Sequence, residues 1–465
     1  MNNPKRKPNL KKAILQDRLL AGISQISGVT GFVTDVTVIS LLSNQPIDEY
    51  FLHFSGTMES LISYVQNEYD VRLVENISAE LARIELIHDN LSKTLYLNHY
   101  NTIKECSSTV HGFSAKCGIP LLLISVSVSA KNLGKIYDEA GGCQDFYDRR
   151  IRLSESREKT LESDADMLLK LCYCAARFGL VIDDALHSEM ICLVEHLKDF
   201  PVERAAKIFF KILEAPQPSI GLILLHETGL LKHFLPEASN MAGVEPVKGF
   251  QHKDVFYHTC EVVDNISRVT DNVWLRFAAF VHDIAKPHTK KFIEGTGWTF
   301  HGHEEKGARI MKGIFYRLHL DMSKLPYIKK LIRLHLRPSA LVGEGITDSA
   351  VRRLITESGE YLDDLLMLCR ADITSKNQGK VNRVKRNYEL VEEKIAVVRK
   401  KDELAAFQSP VRGEEIMRIC GLKPSKTVGL IKGAIETAIL SGEIENTYES
   451  AYAYMMKIKD LYPES

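Results

Sequence analysis

The sequence predicts an α+β N-terminal part followed by an all-helical remainder, and three observations carry that expectation. As far as about residue 153, short apolar runs alternate with polar positions at the two-residue period of a half-buried strand, with helical stretches between them. From about Ser156 onward nearly every apolar run recurs at helical spacing instead. Pro216, Pro218, Pro236 and Gly243 punctuate those helices.

Taken in order, LKKAILQDRLLAGISQISG from Leu10 to about Gly28 has helical spacing and closes on glycine. VTGFVTDVTVIS and YFLHFSG read as strand-rich material around a turn. TMESLISYVQNEY is helical, and ARIELIHDNLSKTLYLNHYN reads as a hairpin joined through Asp89-Asn90. PLLLISVSVSA follows, then KIYDEAGGCQDFYDRRIRL, a strand leading into a Gly-Gly turn. The helical remainder runs through ADMLLKLCYCAARFGLVID, SEMICLVEHLKDF, VERAAKIFFKILEAP and SIGLILLHETGLLKHFLPE. A boundary is expected from Pro246 to His252, His252 itself reading as a junction residue. Lys380 to Lys401 is a long charged helix with a solvated face, and the tail from GEEIMRIC onward is compact and helical. No repeat or low-complexity tract occurs.

The bulk numbers narrow the function. A chain of 465 residues favours two to four domains. Sixty basic and sixty acidic residues cancel, so no global field advertises nucleic-acid binding, and any RNA contact must come from local patches. Lys423, Lys426 and Lys432, with Arg383, Lys385 and Arg386, supply such patches, although acidic residues nearby make a solvated helix face the better account of any single one. Nine widely spaced cysteines, with no CxxC pair, read as reduced core residues. The basic start MNNPKRKPNLKKAI lacks the apolar core of a secretory signal, and no apolar run reaches the length of a membrane span. A cytoplasmic protein is expected, without DNA or membrane partners.

Chemistry concentrates from Phe256 to Pro287. FYHTCEVVDNISR puts His258 on one helix, and NVWLRFAAFVHDIAKP puts His282-Asp283 near the end of the next. An imidazole and a carboxylate inside the apolar run FAAFVHDIA are costly to bury unless something satisfies them, and a divalent cation does so. Downstream come His303 in GWTFHGHEEKGARI, His335 in KKLIRLHLRPS and Asp372 in LLMLCRADITSKN. A lone histidine on an apolar face is more often a hydrogen-bonded core residue, but their order and the HDxxKP context argue jointly for metal.

This arrangement resembles the HD metal-dependent phosphohydrolase superfamily. The resemblance implies that His258, His282, Asp283 and Asp372 hold a first ion, and that His303 and His335 complete a second site. It implies one or two divalent ions, with manganese, nickel, cobalt, iron and magnesium not distinguished by mixed imidazole and carboxylate donors. Asp283 and Lys286 are the catalytic candidates, Lys286 lying on the same helix face as the ligand pair with its ammonium toward a substrate phosphate. His301, Glu304 and Arg337 are candidates for phosphate or ligand-supporting contacts.

A second resemblance covers nearly the whole chain. DEAGGCQDFYDRRIRL, AARFGLVID, PSIGLILLHETGLLKHFLPE and LKPSKTVGLIKGAIETAILSGEI are similar to segments of the bacterial tRNA nucleotidyltransferase (CCA-adding enzyme, poly(A) polymerase head) family. The resemblance implies a nucleotidyltransferase-like head over 1–153, an all-α neck and body over 154–245, an HD domain over 246–400 and a helical tail over 401–465. In that family a Gly-Gly turn with a nearby arginine cradles the triphosphate, and an Asp-x-Asp pair holds two magnesium ions. Here VTGFVTD keeps Gly31 and Asp35, but Thr30 replaces a glycine and Thr34 the arginine. PIDEYFLHF offers either Asp48 with Tyr50 or Ile47 with Glu49, and each register loses one carboxylate. The family's Arg-Arg-Asp run appears as Leu121-Leu122-Leu123, and its base-selecting Asp and Arg appear as Asp164 and Met167. The expectation is therefore a head that no longer adds nucleotides and a metal-dependent phosphohydrolase acting on a nucleotide or an RNA 3′-end phosphate. The alternatives are a non-catalytic RNA-binding or regulatory protein and an active CCA-adding enzyme with unusual head residues.

Overall fold

Two periodicities divide the chain, and the computed structural model follows both. It describes residues 9–26, 30–43, 45–47, 49–55, 57–76, 81–88, 91–100, 119, 122, 125–128, 130–153, 165–195, 197, 200–243, 254–294, 297–341, 347–374, 377–406 and 409–462. The alternating segments become β1 (Thr30–Thr34), β2 (Glu49–Ser55), β3 (Asp70–Asn76), β4 (Leu81–His88), β5 (Leu91–Tyr100), β6 (Ser125–Ser127) and β7 (Ile136–Tyr137). They form one seven-stranded sheet in the order β3-β4-β5-β2-β1-β6-β7, antiparallel except where β2 runs parallel to β5. Alternation sets the buried face: Tyr50, Leu52 and Phe54 on β2, Ile84 and Leu86 on β4, and Leu95 and Leu97 on β5 are all at most 1% exposed. The expected hairpin is β4 with β5, in register His88 opposite Leu91, while its Asp89-Asn90 turn lies outside the described residues.

Two expectations need correcting here. DVTVIS is not strand but the start of the helix Asp35–Ser43. Val38, Ile39, Leu41 and Leu42 are buried, so packing on nearly every side overrides the strand preference of the β-branched run. The first helical stretch is two helices, Leu10–Gln16 and Arg18–Ile23, because the Asp17 carboxylate takes the Leu20 N–H at 3.0 Å and caps a new start. Its closing Gly28 lies outside the described residues.

The helical part is built on close crossings. Helix Ala165–Phe178 buries Leu168, Leu169, Leu171, Cys172, Cys174 and Ala175 completely. Gly221 on helix Pro218–Glu227 lets it approach: an added Cβ would sit 2.8 Å from Ile212 and 2.9 Å from the Cys172 carbonyl. Aromatic rings then join this region to the next one. Phe209 packs on Phe234, Phe277 and Phe280 with centroids 5.8, 6.3 and 5.3 Å away, and Trp274 lies against Phe210 and Phe315. The expected boundary at Pro246 to His252 lies outside the described residues, and the helices on either side of it share this core.

Residues 1–336 and 360–381 form one compact unit, and 337–359 with 382–465 form another. In the second, helices Gly413–Cys420, Lys426–Leu440 and Tyr448–Ile458 close over Val411, Ile416, Ile431, Ile435, Ala451 and Met455. The charged helix Gln378–Ala406 buries Tyr388, Val391, Ile395 and Val398 along one stripe. Among the described residues, no helix is long and apolar enough to cross a membrane.

Candidate metal centre

The ends of several helices converge on one point of the first unit. Helix Val255–Ser267, capped by the Asp254 carboxylate on the Phe256 and Tyr257 N–H groups, carries His258 in its first turns. Helix Val273–Val281 stops before Pro287, whose ring cannot sit four residues beyond a helical carbonyl, and His282 and Asp283 occupy the turn that results. His303 opens helix His303–Arg317, after Gly302 at φ 78° has turned the chain. His335 and Asp372 each follow the last residue of a helix, Leu325–Leu334 and Leu362–Ala371.

These positions fix the rings. A backbone carbonyl three residues back takes the Nδ1 side of His282 (Ala279), His303 (Phe300) and His335 (Ile332), each at 2.7 Å. A carbonyl only accepts, so Nδ1 carries the hydrogen, and each ring, when neutral, turns the lone pair of Nε2 inward. The His258 Nδ1 lies 2.8 Å from the Thr374 hydroxyl instead.

Asp283, 1% exposed, stands between two groups of imidazoles. Its Oδ2 is 3.2 Å from His282 Nε2 and 3.8 Å from His258 Nε2, and Asp372 Oδ1 closes that side at 2.9 Å from His258 and 3.5 Å from His282. Its Oδ1 faces His303 Nε2 at 3.2 Å and His335 Nε2 at 3.8 Å, and these two nitrogens are 3.3 Å apart. The donor atoms of His258, His282 and Asp372 lie within 4.8 Å of one another, as do those of His282, Asp283 and His335.

The residues fit a divalent cation on their own chemistry. His282 Nε2 and Asp283 Oδ1 are buried without a hydrogen-bond partner among the described residues. His303 and His335 point two lone pairs at each other, which a cation resolves and a hydrogen bond between two acceptors does not. The electrostatics call for positive charge at this point, which a proton on His282 supplies when no ion does. Burial pulls the His282 imidazole down, but the Asp283 and Asp372 carboxylates outweigh it and raise it to about 10. Burial pushes His335 down to about 4, helped by His282, which keeps it neutral as a ligand must be. Asp283 and Asp372 are held well below the usual carboxylate range although burial opposes it, Asp283 chiefly by His282 and Lys286, Asp372 by His258 and His282.

The remaining candidates are placed less uniformly. Lys286 does not continue the His282 helix, as expected, but starts the short helix Lys286–Thr289, and its ammonium lies 2.5 Å from Asp283 Oδ2 and 5.7 Å from the Phe300 ring centre. Glu304 touches the His303 ring at 3.5 Å, and His301 is exposed. Arg337 falls in the second unit, where it faces Glu357 at 4.0 Å. In the head, Gly31 and Thr34 lie on β1, Asp35 starts the helix after it, and Glu49 opens β2. Asp48, Asp164, Leu121 and Leu123 lie outside the described residues. Met167 is half-buried on helix Ala165–Phe178. Tyr50 is buried with its hydroxyl donating to Asp17 at 2.8 Å, and Phe51 receives the Lys170 ammonium 4.6 Å over its ring.

Sequence reasoning missed the supports. Thr374 on His258, Asn265 donating to the Ala371 carbonyl at 3.0 Å, and the Cys369 thiol donating to the His335 carbonyl at 3.0 Å tie the ligand segments together. Arg276, 3% exposed, donates to the carbonyls of Leu213 (2.8 Å), Thr270 (2.8 Å) and Ser267 (3.2 Å), where helices Val202–Glu214 and Val255–Ser267 run out of partners. A lone arginine inside VWLRFAAFV was the available signal.

Two stretches of the chain match known families. Residues 255–364 match the family model described as the HD domain, and residues 179–241 match that of the probable RNA- and SrmB-binding site of polymerase A. The chain is 30% identical over 319 residues to the CC-adding tRNA nucleotidyltransferase of Thermus thermophilus, covering 66% of this chain and 70% of the relative. It is 27% identical over 340 residues to the A-adding tRNA nucleotidyltransferase of Deinococcus radiodurans, covering 71% and 76%. A solved CCA-adding enzyme in complex with ATP shares the fold at a TM-score of 0.52 and 15% identity, over 99% of this chain and 98% of that one.

Proposed function

We propose, on the premise that this chain belongs to the tRNA nucleotidyltransferase family, that it works as a metal-dependent phosphohydrolase on a phosphate ester of a nucleotide or an RNA 3′ end. The observation that carries this reading is Asp283, whose two oxygens face two separate sets of imidazole nitrogens. His258, His282, Asp283 and Asp372 would hold one ion, and Asp283, His303 and His335 a second. When bound, divalent ions at such a centre acidify water and polarise phosphoryl oxygens.

The protein's own groups do the positioning. The backbone carbonyls behind three of the rings fix which nitrogen faces inward, so little reorganisation is needed on loading. Phe256, Phe280, Ile284 and Ala285, neighbours of His258, His282 and Asp283 in the chain, are all fully buried, so these residues are carried by core-packed backbone. Lys286 sits at the rim, 23% exposed; one ammonium hydrogen serves Asp283 and the others can meet phosphate oxygens. RNA is the favoured class of substrate because residues 179–241 match an RNA-binding model, and the work is assigned to the cytoplasm.

The same proposal holds that the head does not transfer nucleotides. Either register of the expected carboxylate pair includes a buried residue that binds no metal, Ile47 at 4% exposed or Tyr50 at 1%. A second reading is favoured by the relatives, which are named as CC-adding and A-adding enzymes: the head adds part of a tRNA 3′ end despite these substitutions.

Two assays separate the readings. Phosphomonoesters and 2′,3′-cyclic nucleotides are offered with manganese, nickel, cobalt or magnesium, and tRNA lacking its 3′ end is offered with labelled CTP or ATP and magnesium. Metal-dependent hydrolysis without extension is expected. Extension at an enzymatic rate together with inert phosphoesters would overturn the proposal in favour of the second reading.

A further inference from the structure

Three of the four inward-facing imidazoles are held by a carbonyl of their own chain, three residues back, and the fourth is not. His258 lies inside helix Val255–Ser267, where the carbonyl three residues back, that of Val255, already accepts the Thr259 hydroxyl at 2.7 Å. Its Nδ1 meets the hydroxyl of Thr374, which is 7% exposed, at 2.8 Å. The segment that supplies Thr374 also supplies Asp372, whose Oδ1 lies 2.9 Å from the other nitrogen of the same ring. One short stretch thus grips His258 on both nitrogens, and Asn265 pins that stretch to the His258 helix through the Ala371 carbonyl.

We infer that Thr374 is a positioning residue of the metal centre, orienting the His258 ring so that Nε2 faces Asp372 and Asp283. The inference rests on reading His258 as a ligand. A carbonyl leaves a ring one choice, whereas a hydroxyl can accept from Nδ1 or donate to it. When it accepts, Nε2 is left with a lone pair for an ion; when it donates, Nε2 carries the hydrogen and is spent on Asp372. The two ion sites are therefore built differently. His303 and His335, each 5% exposed, complete one site with both rings set by backbone, while the other depends on His258, set by one hydroxyl, and on the more open Asp372.

The test compares Thr374→Val, which removes the oxygen at nearly constant shape, with Thr374→Ser, which keeps it. Manganese(II) alone is titrated into the full chain, free ion being followed by its paramagnetic resonance signal. Ring nitrogen shifts are read in ¹⁵N-histidine-labelled, metal-free protein. Thr374→Val is expected to weaken one of the two ions by about tenfold to a hundredfold while leaving the other, the usual effect of losing a group behind a ligand. It should also move the His258 ring shifts and leave those of His282, His303 and His335 in place. Thr374→Ser should restore both readouts. Unchanged manganese binding and unchanged His258 shifts in Thr374→Val overturn the inference. So does a Thr374→Ser protein as impaired as Thr374→Val, which would assign the effect to packing. Wild-type protein that takes up no manganese removes the metal reading itself, and the His258 shifts then still decide the role of Thr374.

Discussion

The head sheet and the cluster around Asp283 treat polar chemistry in opposite ways. At the start of β2 the positions that the family pattern reserves for carboxylates bring in Ile47 or Tyr50, both packed into the core, and the Tyr50 hydroxyl donates to Asp17. Around Asp283 the chain buries three imidazoles and a carboxylate at 5% exposure or less and leaves two of their atoms without a hydrogen-bond partner among the described residues. Unsatisfied buried polar atoms each cost on the order of 1–3 kcal/mol. A chain of ordinary stability retains such a cluster only if a ligand repays it, whereas a site released from its ligand is free to fill with apolar side chains. The contrast is the physical basis of the proposal that hydrolysis belongs to one region and that the other does not transfer nucleotides.

Four experiments break or sharpen the contrast, beginning with the largest expected effect. Asp283→Ala removes the carboxylate that both groups of imidazoles face, and phosphoester hydrolysis should fall by roughly a thousandfold or more, since several kcal/mol of charge stabilisation leave with the ions. Steady-state rates with manganese report it, and activity within tenfold of wild type would remove the proposed mechanism. Tyr50→Asp rewrites one register of the lost pair. It should lower stability by ~3–5 kcal/mol in urea unfolding, because a large buried ring is lost and a charge is placed beside Asp17, and it should not yield nucleotide addition. A stable variant that extends tRNA would show the head to be one substitution from working.

Lys286→Met tests the rim. Loss of a hydrogen bond to a charged phosphate is worth ~1.5–3 kcal/mol, so KM should rise about tenfold to a hundredfold while kcat changes less. A fall in kcat alone would mean that Lys286 acts only through Asp283. The smallest effect concerns charges in water. In the second unit Asp348 sits 2.8 Å from Lys394 and 2.9 Å from Lys401, and those two ammonium groups hold its carboxyl down at about 2. A folded value below the unfolded one stabilises above the ordinary carboxylate range and loses that stabilisation as pH falls toward 2. Asp348→Asn should therefore lower Tm slightly at neutral pH, and the difference from wild type should vanish in acid. A difference that persists at pH 2 would point to a packing role.

Legibility in the sequence followed from the same physics. The α+β head, the β4–β5 hairpin and the helices after Ser156 were visible because each depends on local periodicity. His258, His282, Asp283, His303, His335 and Asp372 could be singled out because titratable groups inside apolar runs are conspicuous, and the structure brings all six together. DVTVIS was misread because its burial on nearly all sides comes from neighbours distant in sequence. Thr374 and Asn265 went unnoticed because a threonine and an asparagine carry no signal until the chain folds them against a ligand. Lys286 was misplaced for a local reason: Pro287 ends the helix, and the turn points the ammonium at Asp283.

Metal content bears most directly on the central claim that the cluster around Asp283 is a cation centre. Purified protein is stripped with a chelator, reloaded with manganese, desalted and analysed by elemental mass spectrometry beside Asp283→Ala. One or two ions per wild-type chain are expected, and fewer in the variant than in wild type. Wild-type protein with no manganese above background, or a variant that retains as much as wild type, would contradict it.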